Sequence, residues 1–489
     1  MKSVIMIAYY FPPEGNAGVY RPLRFVRNLP KFGWLPRVIS LSAKCYERYD
    51  PHLLALVPPE TEVIRVANND PWQSFQHWRA RRVQQALAGS TAEKNGTVNA
   101  SSLRASIREM ARRAEAWIYH PDPEMGWVRP AVKATLQVCA ENRPDVIWAT
   151  AGPVSSFIVA RKVFESTGIP YVLDFRDAWT ITYNKFEERQ PRWVKRLAQG
   201  SMYRLLAGAQ SVVFRYASEA ECYWRAYSGA LDPGKVYVLP NGFDGAIEQF
   251  TPPQSDRCEI LYTGTVSDYR YDTLLHALVV LKKSLPDLAS RIHFHFVGEG
   301  SDAIANAAAA HGIVDMITTQ ALSSYEEVNK LTKRSHALLV LGRPRTMRGY
   351  ELFAGAKLFG YLKAGMPIIG VLPLDETKKV LIRVGVRTVA DVNSPSEIVG
   401  VLRRLITAWS EGKLLSLLPD RRACDNYSAQ RQTEELVRAL EGTPAVESFV
   451  PGSVEVPPSL HSLVSKRARQ FEQGKFPTGT SNVVRRPRI

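Results

Sequence analysis

The chain has 489 residues, 45% of them hydrophobic and 22% charged. At roughly 150 residues per domain that length holds two or three domains, and the composition excludes a disordered chain, a collagen and a disulfide-stapled mini-scaffold. The formal net charge is +16, with 63 basic against 47 acidic residues, which favours polyanionic partners (nucleic acid, anionic lipid, phosphorylated substrates) without choosing among them.

The first elements alternate short apolar runs with helical patterns. Residues 4–8 read as a strand, which Pro12-Pro13 stops; no small-residue cleavage site follows, so a buried strand fits better than a leader. Residues 21–32 read as a helix, with Leu23, Val26 and Leu29 at helical spacing and Gly33 at its end. A strand over 36–41 follows. Residues 72–87 and 103–118 are basic helix patterns around a patternless polar stretch at 90–102. Together they resemble an insertion, about 71–120, between early strands; eight Lys/Arg and three Glu give residues 71–118 a net charge of +5. Residues 145–149 and 171–175 are further strands, with a helix at 154–164 between them.

A second alternation begins after Thr251-Pro252-Pro253. Strands are expected at 259–263, 292–297, 337–341 and 367–371, and helices at 273–284, 303–311, 357–363 and 396–407. Strands alternating with helices imply parallel sheets covered on both faces. The fold class is therefore α/β, with a first domain over 1–250 and a second over 257–427. A further helix is expected at 428–440. From Gly442 the chain turns Pro-, Ser- and Gly-rich, with a net +4, and reads as a basic tail that packs little. Cys45, Cys139, Cys222, Cys258 and Cys424 lie far apart with no CxxC or Cys/His spacing, so they read as free thiols in a reducing compartment. No apolar run reaches the ~18 residues needed to span a bilayer.

Chemistry is expected where strands end. Gly15-Asn16-Ala17-Gly18 follows the first strand and precedes a helix carrying Arg21 and Arg24. Glycines there let backbone amides approach a phosphate at a helix N-terminus; a loop needing special backbone angles is the plainer alternative. Asp174-Phe175-Arg176-Asp177 ends another strand, and Asp177 would serve equally as a helix cap. Gly264-Thr265 and Gly298-Glu299-Gly300 close strands of the second domain, as nucleotide loops or as simple tight turns. Arg343, Arg345, Arg348 and Lys357 surround glycines at a strand-to-helix turn, where they suit a diphosphate: a fork from Arg, a point charge from Lys. A solvated basic loop is the bland reading. Asp122-Pro123-Glu124 beside His120 fits a cap better than a metal, and no GxSxG, HExxH or P-loop occurs.

In order and spacing these segments resemble the retaining sugar-nucleotide glycosyltransferases of GT-B fold in family four, over about residues 1–441. The resemblance rests on Tyr10-Phe11-Pro12-Pro13-Glu14-Gly15 with Arg21 through Gly33-Trp34, and on Pro121-Asp122-Pro123 with Gly126-Trp127. It continues through Leu173-Asp174-Phe175-Arg176-Asp177-Ala178-Trp179, a DFRDxW-type subgroup pattern, and Leu239-Pro240-Asn241-Gly242-Phe243-Asp244. In the second half Tyr262-Thr263-Gly264-Thr265, Val297-Gly298-Glu299-Gly300 and Ala356-Lys357-Leu358-Phe359 through Gly365-Met366-Pro367 carry it.

The resemblance implies two doubly wound, Rossmann-like domains facing across a cleft, the first holding the acceptor and the second a nucleoside-diphosphate sugar. The last helix, 428–441, would cross back to the first domain. Gly15, Gly18 and Arg21 would lie near the sugar diphosphate or acceptor, and Arg176 and Asp177 would carry the catalytic acceptor side. Gly264, Thr265, Glu299, Arg343 and Lys357 would hold the donor, a UDP-sugar by preference. No separate cofactor and no metal are implied, since Arg343, Lys357 and backbone amides would neutralise the leaving diphosphate. Three departures stand out. Gly360 occupies the position where members often carry a ribose-binding Glu, with Glu351 upstream. The basic pair after the second domain's first strand is reduced to Arg270. The strand end that often bears an active-site His reads Ala149-Thr150-Ala151-Gly152.

The reading is thus a cytoplasmic glycosyltransferase, peripheral on the inner face of the cell membrane, of cell-envelope or exported polysaccharide, acting on a lipid-linked or saccharide acceptor. An anionic membrane surface would suit the basic insertion, whose tryptophans would alternatively pack on the core. The competitors are a sugar-nucleotide epimerase of the same two-domain plan and a nucleotide-sugar-binding subunit without turnover. Nucleic acid is not an expected partner, because no RNA or DNA module is recognisable.

Overall fold

A computed structural model describes residues 1–46, 48–68, 120–181, 191–267, 269–321, 325–343 and 349–472. The expected basic insertion, apart from His120, and the tail beyond 472 lie outside these residues, as do Arg345 and Arg348. The chain forms two compact units. One comprises Met1–Leu239, Thr433–Val456 and the stretch from Leu460; the other comprises Pro240–Gln432 and Pro457–Ser459.

In the first unit β1 (Lys2–Ile7), β2 (Trp34–Leu41), β3 (Glu62–Val66), β4 (Val146–Thr150), β5 (Tyr171–Phe175), β6 (Ser211–Phe214) and β7 (Val236–Val238) form one sheet, ordered β3-β2-β1-β4-β5-β6-β7. Every pairing is parallel; β1 aligns Lys2 with Trp34 and Val4 with Val146. Strands buried on both faces read as continuous apolar runs, as in Val4–Ile7 and Val146–Ala149. The helices are α1 (Tyr20–Asn28), α2 (Val128–Glu141), α3 (Ser155–Thr167), α4 (Arg192–Gly208) and α5 (Ala217–Ala226). Phe25 and Val26 of α1 pack with Val4, Met6 and Trp148 in the core. The helix expected over 21–32 ends at Asn28. Pro30 has no amide to continue the ladder, so Leu29–Phe32 tighten into a 3-10 turn that left-handed Gly33 (φ 78°) terminates.

The second unit repeats the plan. Its strands β8 (Cys258–Thr263), β9 (Ile292–Val297), β10 (Ile317–Gln320), β11 (Ala337–Leu341), β12 (Ile368–Leu372) and β13 (Val389–Asp391) run parallel in the order β10-β9-β8-β11-β12-β13. Its longer helices among the described residues are α6 (Asp272–Ser284), α7 (Ser301–Ala310), α8 (Tyr325–Lys333), α9 (Ala356–Ala364), α10 (Glu376–Arg383) and α11 (Pro395–Ser410). In both sheets the strand order reverses beside the first strand, between β1 and β4 and between β8 and β11. Ligands bind open α/β sheets outside the carboxyl ends at that switch point.

The first domain is expected to run to residue 250, but the second unit already begins at Pro240. The reason is backbone hydrogen bonding: Phe243 N–H donates to Tyr427 O (3.0 Å), Ala429 N–H to Phe243 O (2.8 Å) and Glu248 N–H to Lys363 O (2.8 Å). Helix α12 (Ala429–Glu441) follows, placing Leu436, Ala439 and Leu440 in the first unit's core. The stretch from 442, expected to pack little, is corrected as far as residue 472. Phe449, Val456, Leu460 and Val464 are buried, and α13 (His461–Glu472) lies against α5. Leu460, Val464 and Arg467 recur at helical spacing on one face, a signal that the neighbouring prolines obscured. Among the described residues no helix is long and apolar enough to cross a membrane.

Candidate active-site residues on each unit

On the first unit the loops after β1, β4 and β5 meet around one guanidinium. Arg176 leaves β5 and donates from Nε to Ala151 O (3.2 Å) and from Nη2 to Gly152 O (2.9 Å). It pairs with Asp177 at 3.0 Å and lies 5.9 Å from the Tyr10 ring centroid. A Cβ built on Gly18 would fall 1.9 Å from Arg176 Nη1, and one on Gly152 (φ +82°) 2.1 Å from Nη2. These two glycines therefore make room for the arginine. Asp177 is 59% exposed and Arg176 15%, so the carboxylate faces solvent while the guanidinium is held.

Two expectations change here. Gly15 and Gly18 do not offer free amides to a phosphate: Gly15 N–H donates to Arg48 O (3.0 Å) and Gly18 N–H to Asn16 Oδ1 (3.0 Å). Arg21 is 3% exposed and spent inside the protein. Its Nε and Nη2 reach the buried Asp174 carboxylate at 2.6–3.1 Å, and Nη2 also donates to Leu239 O (3.0 Å). Thr150 Oγ1 donates to the same carboxylate (2.8 Å). Arg21 thus anchors the strand that presents Arg176 and Asp177. Asp122 is a cap: it accepts from Glu124 N–H (3.2 Å), Ser155 N–H (2.8 Å) and the Ser155 hydroxyl, and burial raises its carboxyl pKa.

On the second unit Lys357 and Arg343 come together. Lys357 stands in the first turn of α9, its Nζ 4.8 Å from the Tyr262 ring centroid and 5.6 Å from that of Tyr269. Arg343, just past β11, lies 5.8 Å from the Tyr269 centroid and 5.1 Å from that of Phe353. Among the described residues neither cation has a carboxylate partner. Burial first, and Arg343 second, push the Lys357 ammonium down to about 8. Gly264 (φ +113°) closes β8 directly beneath it: a Cβ there would fall 1.8 Å from Lys357 Nζ. Gly298 (φ +146°) packs on the Gly264 backbone, where a Cβ would meet Gly264 O at 2.3 Å.

Tyr262, Tyr269, Arg343, Phe353, Lys357 and Asp375 line a cavity of about 30 Å³. That volume holds about one water. It marks the apolar surroundings of the cations rather than a complete nucleotide pocket. Asp375 caps α10 through Lys378 N–H (2.9 Å), and burial pushes its carboxyl up to about 7. Of the remaining expected residues, Thr265 accepts at its carbonyl from the Tyr262 hydroxyl (2.7 Å). Glu299 has an exposed side chain, and its carbonyl accepts from Val266 N–H (2.9 Å). Gly360 is exposed, with open space where a Cβ would be. Glu351 is not free to replace a carboxylate there: Ser459 donates to it from its hydroxyl (2.6 Å) and its amide (3.3 Å).

Sequence reasoning singled out neither Gly152, which gives Arg176 room, nor the aromatic frame of Tyr262, Tyr269 and Phe353 around the cations. Glycine beside Pro153 at a strand end was the available signal for the first. Aromatics flanking Gly264 were the signal for the second.

Residues 20–242 match the Glycosyl transferase 4-like domain family. No curated protein matches the chain in sequence. Among solved structures, the sucrose-phosphate synthase of Thermosynechococcus elongatus is similar at TM-score 0.54 and 14% identity, covering 90% of this chain and 99% of that one. HepE of Anabaena, solved in complex with UDP-glucose, is similar at TM-score 0.53 and 11% identity, covering 90% and 100%. The lipopolysaccharide outer core galactosyltransferase WaaB, in its apo form, is similar at TM-score 0.52 and 14% identity, covering 90% and 99%. The expected α/β class with two Rossmann-like sheets is the one found, and it is the GT-B architecture.

Proposed function

From the premise that the chain is a glycosyltransferase, with a family-four-like domain over residues 20–242, we propose that it moves a sugar from a nucleoside-diphosphate sugar to a lipid-linked or saccharide acceptor. The setting is cell-envelope or exported polysaccharide, on the cytoplasmic side of the membrane. One observation carries the donor half: Arg343 and Lys357 adjoin in a half-buried, largely apolar frame, and among the described residues neither forms an ion pair. Like charges held together out of water are costly, and a diphosphate relieves that cost. HepE, whose structure holds UDP-glucose, has a similar fold, which favours a UDP-sugar.

In the proposed reaction the bond from the anomeric carbon to the β-phosphate oxygen breaks as the acceptor oxygen bonds to that carbon. The acceptor proton passes to the departing phosphate oxygen on the same face, so configuration is retained. Lys357 and Arg343 hold the negative charge that develops on the leaving diphosphate, the work a divalent ion does in other transferases. Asp177, exposed and oriented by Arg176, orients the acceptor hydroxyl. Thermal unfolding against a panel of nucleoside-diphosphate sugars, with a chelator present, tests this. One donor at hundredfold excess over its Kd stabilises by about 2.7 kcal/mol, a clear upward shift. The expected shift persists with chelator and is much smaller in Arg343→Ala; a shift indifferent to that substitution would sink the donor assignment.

Gly360 supplies a second test. Gly360→Glu enters open space in the middle of α9. Replacing a helical glycine is worth roughly 0.5–1 kcal/mol of stability. If the family's ribose carboxylate is merely missing here, Gly360→Glu also tightens binding of uridine diphosphate, read by calorimetry. A more stable variant with unchanged affinity would show that this site holds the ribose by other groups.

A further inference from the structure

We infer that the outer face of α4 is a docking surface for an anionic lipid bilayer. The inference stands apart from the donor and acceptor assignments. The helix sequence RWVKRLAQGSMYRLLAG carries Arg192, Lys195, Arg196 and Arg204 and no acidic residue. Val194, Ala198, Met202, Leu205 and Leu206 are buried against the unit, so α4 lies flat on its surface. Arg192, Trp193, Arg196, Leu197 and Arg204 are exposed. At roughly 100° per residue these five fall within one arc of about 140°.

Trp193 and Leu197 stand one turn apart and are 46% and 48% exposed, whereas large apolar side chains on a soluble helix normally face inward. Arg192 and Arg196 flank them, and among the described residues neither has an ion-pair partner. Arg204 reaches back to its own helix, donating to Gly200 O (3.2 Å). Seventeen residues make a helix about 25 Å long. A flat cationic helix with an apolar pair at its crest matches a negatively charged bilayer in both respects. The cations meet headgroups and the tryptophan and leucine enter the boundary beneath them. A polyanion in water would use the arginines and leave the apolar pair exposed, so the lipid surface is the better fit. Attachment that rests on arginines and one apolar pair is reversible and salt-sensitive.

The test is co-sedimentation of the full chain with phosphatidylcholine vesicles, with and without about one-third phosphatidylglycerol, at low salt and at about 0.5 M salt. Binding is expected only with the anionic lipid and only at low salt. Trp193→Ser/Leu197→Ser should lower the apparent partition coefficient about tenfold. Arg192→Gln/Arg196→Gln should lower it about thirtyfold, roughly fivefold for each charge. All four side chains are exposed, so circular dichroism and the thermal midpoint should match the parent protein. Equal binding to both lipids, or variants that partition like the parent, would overturn the assignment. So would a salt-sensitive RNA gel shift lost only in the arginine pair without vesicle binding, or a dimer dissolved by the Trp193/Leu197 pair.

Discussion

Lys357→Met is expected to weaken binding of the donor diphosphate by about a hundredfold while leaving the fold intact. A charge-assisted contact is worth roughly 1.5–3 kcal/mol, and its upper end applies where the partner is withdrawn from water. Methionine keeps an apolar stem against Tyr262 and Tyr269, so packing is conserved. Removing the ammonium also removes a buried like charge from beside Arg343, so stability should hold or rise. Gly264→Ala should reproduce the loss without touching a charge, because its methyl occupies the ammonium's place and φ +113° disfavours a side chain.

The pH dependence has a definite sign. In the free protein Lys357 titrates at about 8, and a bound diphosphate favours the ammonium and raises that value. Affinity should therefore be flat below pH 8 and fall about tenfold per pH unit above it, until the raised pKa of the complex is reached. Arg343→Ala relieves the neighbouring charge and should move the break upward. Calorimetric titration with uridine diphosphate between pH 6.5 and 9.5 reads all of this. A profile level to pH 9.5 would mean that Lys357 does not hold the diphosphate.

The parts of the fold legible in the sequence were those with strong, uninterrupted patterns. Val4–Ile7, Val146–Ala149 and Tyr171–Phe175 are apolar because their sheet is covered on both sides, and they announce themselves. Strands β7 and β13, at the sheet edges, have three residues each and give periodicity little to work on. Helix α10 hides its apolar residues among charges, in the sequence ETKKVLIR. The glycines at strand ends were legible as special positions but not in their purpose. Gly18 and Gly264 looked like phosphate loops, yet each makes space for a cation from a distant segment, Arg176 for one and Lys357 for the other. Long-range partners of this kind leave no local trace. For the same reason Arg21 looked like a ligand group: nothing near it in sequence reveals that its carboxylate lies 153 residues away.

That buried pair should dominate the stability of the first unit. Arg21 and Asp174 are 3% and 0% exposed, and their hydrogen bonds tie α1 to the end of β5. Removing one partner strands the other charge out of water, so Arg21→Met and Asp174→Leu should each cost roughly 3–5 kcal/mol in urea unfolding. The double variant should recover much of that loss, because an apolar pair of similar volume often replaces a buried ion pair without penalty. Activity should not recover with it. Arg176 and Asp177 follow Asp174 by two and three residues, and the strut that fixes their direction is gone. A double variant that is both stable and active would show that the pair only holds the fold. Stability regained with transfer still lost would identify Arg21 as a positioning residue for the Arg176–Asp177 loop.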